Sequence, residues 1–148
     1  MKILVIDDEE SVRWAVRISL RRHGFAVLEA GDGEEGLKLA QTGLPDLILC
    51  DVVMRRMDGF EVLSWIRRQE GICGLPVVVL TSSSQIRDVN RAYALGANSF
   101  FVKEFDFREN VNLSNLIKQY WVTKALKPET SRPARKPQNG HSSNSSSR

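Results

Sequence analysis

Short runs of Val, Ile and Leu recur along the chain, separated by stretches in which apolar residues return every three or four positions. The runs lie at Lys2–Ile6, Ala26–Ala30, Leu47–Cys50, Val77–Leu80 and Ser99–Val102. Their length and near-continuous apolar character predict strands buried on both faces. Between them, Val12, Ala15, Val16, Ser19 and Leu20 share one helical face, as do Phe60, Leu63 and Ile66, and Ile86, Val89 and Tyr93. Leu113, Leu116, Ile117 and Tyr120 mark a last helix. Asp32-Gly-Glu-Glu35 and Asp58-Gly-Phe-Glu61 each set an acid at a helix start with a Glu three residues on. Gly24, Gly43 and Gly96 fall where helices should stop, and Pro128 forbids much continuation of the last one. Five strands alternating with five helices predict an α/β fold, a doubly wound five-stranded parallel sheet in three layers. In such sheets ligands bind beyond the carboxyl ends of the strands, where the strand order reverses.

The final segment breaks this pattern. Residues 127–148 hold three prolines, a run of serines and no large apolar side chain. They cannot bury enough surface to offset ordering entropy, so a disordered basic tail is expected after a domain spanning 1–126. Of 21 basic and 18 acidic residues, five basic ones (Lys127, Arg132, Arg135, Lys136, Arg148) and one acid (Glu129) lie in that tail. That leaves 16 basic against 17 acidic residues in the domain, so the domain carries −1 and the tail +4, and the chain's positive charge belongs to the tail. A near-neutral domain argues against nucleic acid as a partner of the fold itself. No apolar run approaches the roughly 20 residues that span a bilayer, and the N-terminus does not read as a signal peptide. The expectation is a cytoplasmic protein without a membrane partner. Cys50 and Cys73 are too few and too far apart for a metal knuckle, and read as small buried or half-buried hydrophobes.

The chemistry gathers where the strands end. The first strand runs directly into acids, in Lys2-Ile-Leu-Val-Ile-Asp-Asp-Glu-Glu10. Asp51 follows the third strand, Thr81 and Ser82 the fourth, and Lys103 the fifth. An Asp-Asp pair alone reads as a solvated helix cap, Thr81 as another cap, and Lys103 as a surface charge. Their coincidence at successive strand ends argues for one site. Asp7, Asp8 and Asp51 carry −3; a divalent hard cation with Lys103 carries +3. Carboxylate oxygens are what Mg²⁺ prefers, so the cluster reads as half of a metal site.

With "ILVIDDEE", "DLILCDVVMRRMDGFEVL", "PVVVLTS" and "ALGANSFFVK" in this order and spacing, residues 2 to about 122 resemble the receiver domain of two-component response regulators, the family of the chemotaxis regulator. "RAYALGANSFFVK" followed by "LIKQYW" also resembles stand-alone regulators that accompany phytochrome-type sensor kinases. The resemblance implies a flavodoxin-like (βα)₅ sandwich with Asp51 as phosphoacceptor from a phosphohistidine. It implies Mg²⁺ held by Asp7, Asp8, Asp51 and the Val53 backbone carbonyl, with Lys103 neutralising phosphoryl charge. Thr81 would donate its hydroxyl to the phosphoryl group, and Phe100 would turn inward behind it. The output surface would be the helix from about Gln85, the fifth strand and the last helix. Two prolines usual in the family are replaced, by Arg55 after Met54 and by Glu104 after Lys103. A cis bond to Glu104 would cost about 3–4 kcal/mol, against under about 1 for proline, so Lys103 is open to a different aim.

The implied function is a single-domain response regulator. It takes a phosphoryl group from a sensor histidine kinase or phosphotransfer protein and signals through a downstream protein target. It is not a turnover enzyme, only a self-catalysing phosphoacceptor. A degenerate receiver that binds partners without phosphorylation is the alternative. An aspartate-nucleophile phosphatase would want a second Asp where Val53 stands. On the first helix, Trp14 and Ile18 lie opposite the core face, flanked by Arg13, Arg17 and Arg21. They form either a kinase docking patch or a surface covered by arginine stems. Assembly stays open between a monomer and a phosphorylation-dependent homodimer, because Tyr120 and Trp121 suit either core or interface.

Overall fold

The computed structural model describes residues 1–82 and 85–102. Lys103, the expected last helix with Tyr120 and Trp121, and the tail 127–148 lie outside the described residues. Within them the order is β1 (Lys2–Ile6), α1 (Glu10–Arg22), β2 (Ala26–Ala30), α2 (Gly33–Thr42), β3 (Leu47–Asp51), α3 (Gly59–Arg68), β4 (Val77–Thr81), α4 (Ile86–Ala94) and β5 (Ser99–Val102). All neighbours pair in parallel, in the order β2-β1-β3-β4-β5. β3 and β4 each run one residue longer than their apolar runs. Asp51 pairs with Leu80 and Thr81 with Val102, because a ladder made by the backbone does not stop at a polar side chain.

Burial on both faces explains the continuous apolar runs. Alternate strand residues Ile3, Val5, Leu47, Leu49, Val78 and Leu80 pack with Val12, Val16 and Leu20 of α1. Their neighbours Leu4, Ile6, Ile48, Cys50, Val77 and Val79 pack on the other side with α2 and α3, where Phe60, Val62, Leu63 and Ile66 are buried. Each large side chain so buried contributes about 1.5–3 kcal/mol of hydrophobic stabilisation. The two acid-led helix starts form as expected: Asp32 accepts from the Glu35 N–H at 2.8 Å, and Asp58 from the Glu61 N–H at 2.9 Å.

Three expectations are corrected. Two of the three residues in the α4 stripe do not face the sheet: Ile86 is 77% and Tyr93 50% exposed, while Val89 is half-buried. The buried residue of α4 is Ala92, a small side chain that lets the helix lie close and carries little weight in a hydrophobic pattern. On α1, Ala15 and Ser19 are only half-buried, at the margins of the Val12–Val16–Leu20 stripe. Cys50 is buried but Cys73 is exposed, in the turn after α3.

Candidate functional site: an acidic cluster at the switch point

From β1 the chain passes outward to β2, then returns to β3 on β1's other side. The crevice opened by that reversal lies at the carboxyl ends of β1 and β3, where the acids stand. Asp7 follows Ile6 directly, and its N–H donates to the Ala30 carbonyl of β2 at 3.1 Å. Asp51 closes β3. Asp7, Asp8 and Asp51 each present a carboxylate oxygen, all within 4.8 Å of one another. Asp7 and Asp51 are buried and Asp8 is half-buried. This is no solvated cap: the residue capping α1 is Glu9, without a side-chain cap bond, while Asp7 accepts the Glu9 N–H at 3.0 Å. Three like charges this close, two of them away from water, suit a hard divalent cation and are costly without positive charge nearby.

The loop after β3 wraps the site. The Gly59 N–H at the start of α3 donates to the Val52 carbonyl at 2.9 Å. A Cβ on Gly59 would overlap the Asp51 carbonyl oxygen, so only glycine permits this approach. Arg55 contributes its backbone N–H to Asp8 Oδ2 at 3.3 Å, a long bond that the usual proline could not make. Its side chain is exposed. Thr81 is fully buried at the end of β4, next to β3, and the Val52 N–H to Leu80 carbonyl bond of 3.0 Å ties the two strand ends together.

A family model described as the response regulator receiver domain matches residues 3–115. The chain belongs to this family. Among curated relatives, this receiver domain is 42% identical over 108 residues to the alkaline phosphatase synthesis transcriptional regulatory protein PhoP of Bacillus subtilis, covering 73% of this chain and 44% of PhoP. It is 38% identical to the DNA-binding dual master transcriptional regulator RpaA of Synechocystis, covering 73% and 45%. The chain thus spans less than half the length of these relatives. Among solved structures, the Vibrio cholerae chemotaxis protein CheY4 has 33% identity and a TM-score of 0.71, over 79% of this chain and 96% of that one. The phosphorylated cyanobacterial phytochrome response regulator RcpA has 26% identity and a TM-score of 0.74, over 86% and 97%. The Mn²⁺-bound form of response regulator Rcp1 has 26% identity and a TM-score of 0.73, over 86% and 98%.

The receiver fold therefore brings together Asp7, Asp8 and Asp51 among the residues singled out from sequence, and sets Thr81 at the end of the adjoining strand. Val53 sits on the loop after Asp51 with its side chain 66% exposed. Phe100 pairs with Val79 in β5 and is half-buried against the core. Trp14 is 56% exposed: Arg13 and Arg17 turn toward Glu29 of β2 and leave it open, while Ile18 is half-buried. Lys103 is outside the described residues. The expectation of no nucleic-acid partner finds no support in relatives named as transcriptional or DNA-binding regulators. Among the described residues, no helix is long and apolar enough to cross a membrane. The sequence pattern missed Gly59 as a site residue, although its Asp-Gly dipeptide was visible as a helix start. It also placed Arg13 only beside Trp14, because its partner Glu29 is distant along the chain.

Proposed function

We propose that this receiver domain accepts a phosphoryl group on Asp51 from the phosphohistidine of a sensor histidine kinase or phosphotransfer protein, and signals through a protein target. The observation that carries this reading is the convergence of Asp7, Asp8 and Asp51 at the switch point. Their oxygens fit Mg²⁺, with the Val53 carbonyl as a further ligand. When bound, the ion supplies charge neutralisation on the transferring oxygens. An Asp51 oxygen attacks phosphorus, the donor N–P bond breaks, its electron pair returns to the imidazole nitrogen, and an acyl phosphate remains. Lys103 supplies a second positive charge to the phosphoryl oxygens. The Thr81 hydroxyl donates to the new group, drawing its loop inward with Phe100 behind it, and α4 with β5 carries the change to the target. Trp14 and Ile18 form the docking patch for the donor. We place the exchange in the cytoplasm, as is typical of receiver domains.

The test is incubation with acetyl phosphate and Mg²⁺, read by intact mass, beside Asp51→Asn and an EDTA control. A phosphoryl adduct that needs both Asp51 and Mg²⁺ is expected. Should wild type show neither an adduct nor Mg²⁺-dependent beryllofluoride binding, the reading gives way to a receiver that binds partners unphosphorylated. Arg55 and Glu104, in place of the usual prolines, are the features that favour that second reading.

A further inference from the structure

The two metal-directed acids are adjacent, so the peptide between them decides where both carboxylates point. That peptide's carbonyl belongs to Asp7, and an arginine holds it. Arg13, one turn into α1, donates from Nη1 to the Asp7 carbonyl oxygen at 2.6 Å. Its side chain is only 18% exposed. Its Nε lies 3.8 Å from Glu29 Oε1, and Glu29 Oε2 accepts from Arg17 Nη1 at 2.7 Å. The guanidinium passes over Gly31, where a Cβ would stand 3.3 Å from Nη1. Asp7 is therefore gripped on both sides, its N–H by the Ala30 carbonyl and its carbonyl by Arg13. Both anchors lead to β2.

We infer that Arg13 is a positioning residue for the Asp7–Asp8 pair, fixing its geometry for the divalent cation through a brace to Glu29. The inference rests on the proposed function, because it presumes that the pair binds Mg²⁺. Two effects of Arg13 oppose each other. As a cation near an acidic cluster it repels Mg²⁺; as a clamp it holds the ligands in place. Glu29 offsets the charge, so the clamp dominates. Removing a partner that orients a metal ligand costs roughly ten- to a hundredfold in affinity.

The experiment is calorimetric titration of the full chain with Mg²⁺ at fixed pH and ionic strength, with circular dichroism as a check of folding. Arg13→Ala is expected to weaken Mg²⁺ binding by roughly ten- to a hundredfold. Arg13→Lys, which keeps one donor for the carbonyl, should recover part of that loss. Arg17→Ala removes the shorter Glu29 contact but touches no part of Asp7, and should stay within about twofold of wild type. Unchanged or tighter binding by Arg13→Ala overturns the inference, as does an equal loss in Arg17→Ala. If Arg13→Ala does not fold, Arg13→Lys decides: weakened binding with a native spectrum supports the clamp, and wild-type binding refutes it. A wild type that takes up no Mg²⁺ removes the proposed function first, and the inference falls with it.

Discussion

The two ends of the sheet treat charge in opposite ways. At the amino end, charged groups are consumed by main-chain partners. The Lys2 ammonium donates to the Gly43 carbonyl at 2.9 Å, and its N–H to Asp46 Oδ2 at 2.7 Å. Arg67 at the end of α3 donates to the Leu75, Cys73 and Gly96 carbonyls, the last one twice, and to Asn98 Oδ1. At the carboxyl end, three carboxylates are pressed together. The amino end uses polarity to fasten segments that precede β3, β4 and β5. The carboxyl end holds like charges close, against their repulsion, as the proposed binding of a cation and a phosphoryl group requires. Mutations at the two ends should therefore separate stability from chemistry.

The largest effect expected is from Asp51→Asn. The acetyl-phosphate adduct should vanish from the mass spectrum, while the metal-free protein should unfold at higher urea. With Asp7 and Asp51 buried and Asp8 half-buried, relief of repulsion among carboxylates within 4.8 Å of each other is worth on the order of 1–3 kcal/mol. A loss of stability in that variant would break the contrast between the ends.

Arg67→Ala should do the reverse. Hydrogen bonds to charged donors contribute about 1.5–3 kcal/mol each but are not additive, and part-buried carbonyls would be left without their partner. A loss of about 2–4 kcal/mol is expected, read as a lower urea midpoint, with Mg²⁺ affinity unchanged. Loss of Mg²⁺ affinity in the folded variant would mean that the two ends are coupled. Arg67 also explains Gly96, whose φ is +99° and where a Cβ would stand 3.0 Å from Arg67 Nε.

Gly59→Ala strikes at the join between the two behaviours. The added methyl would overlap the Asp51 carbonyl oxygen, so the loop after β3 must move. Overpacking of this kind costs about 1–3 kcal/mol. Because the displaced backbone carries Asp51, adduct formation should slow as well. A variant destabilised but phosphorylated at the wild-type rate would show that the cluster tolerates movement of its own strand end.

The elements were legible because parallel strands buried on both faces leave unbroken apolar runs, and because Asp32 and Asp58 announce their helices by side-chain chemistry that is local. The acids were legible for a related reason: the switch-point rule turns strand order into proximity, so Asp7, Asp8 and Asp51 met without any contact having to be guessed. Arg67, Arg13 and Gly59 were not legible in their roles. Their partners are main-chain carbonyls or a distant Glu29, and any residue supplies a carbonyl, so no residue-type pattern marks them. The α4 stripe misled because apolar periodicity finds an apolar face, not the face that meets the sheet. Ala92 does the packing there, and Ile86 and Tyr93 are left outward.

The smallest structural change with a functional consequence should come from Trp14→Ala. Trp14 is 56% exposed and lines a groove of about 250 Å³ with Glu10, Arg13, Arg17, Glu29, Gly31 and Glu35, beside the carboxyl end rather than within the cluster. A half-exposed side chain contributes little to the core, so stability should hold within about 0.5 kcal/mol. An exposed aromatic flanked by arginines has the make-up of an interface anchor, and truncating such an anchor costs about 2 kcal/mol or more of binding. Transfer from the cognate kinase should therefore slow by roughly thirtyfold or more at sub-saturating concentration, while acetyl phosphate, which needs no docking, should react at the wild-type rate. Equal slowing with both donors would place Trp14 in the chemistry of the carboxyl end. Equal rates with both would leave the groove beside it, not the indole, as the feature that a donor protein reads.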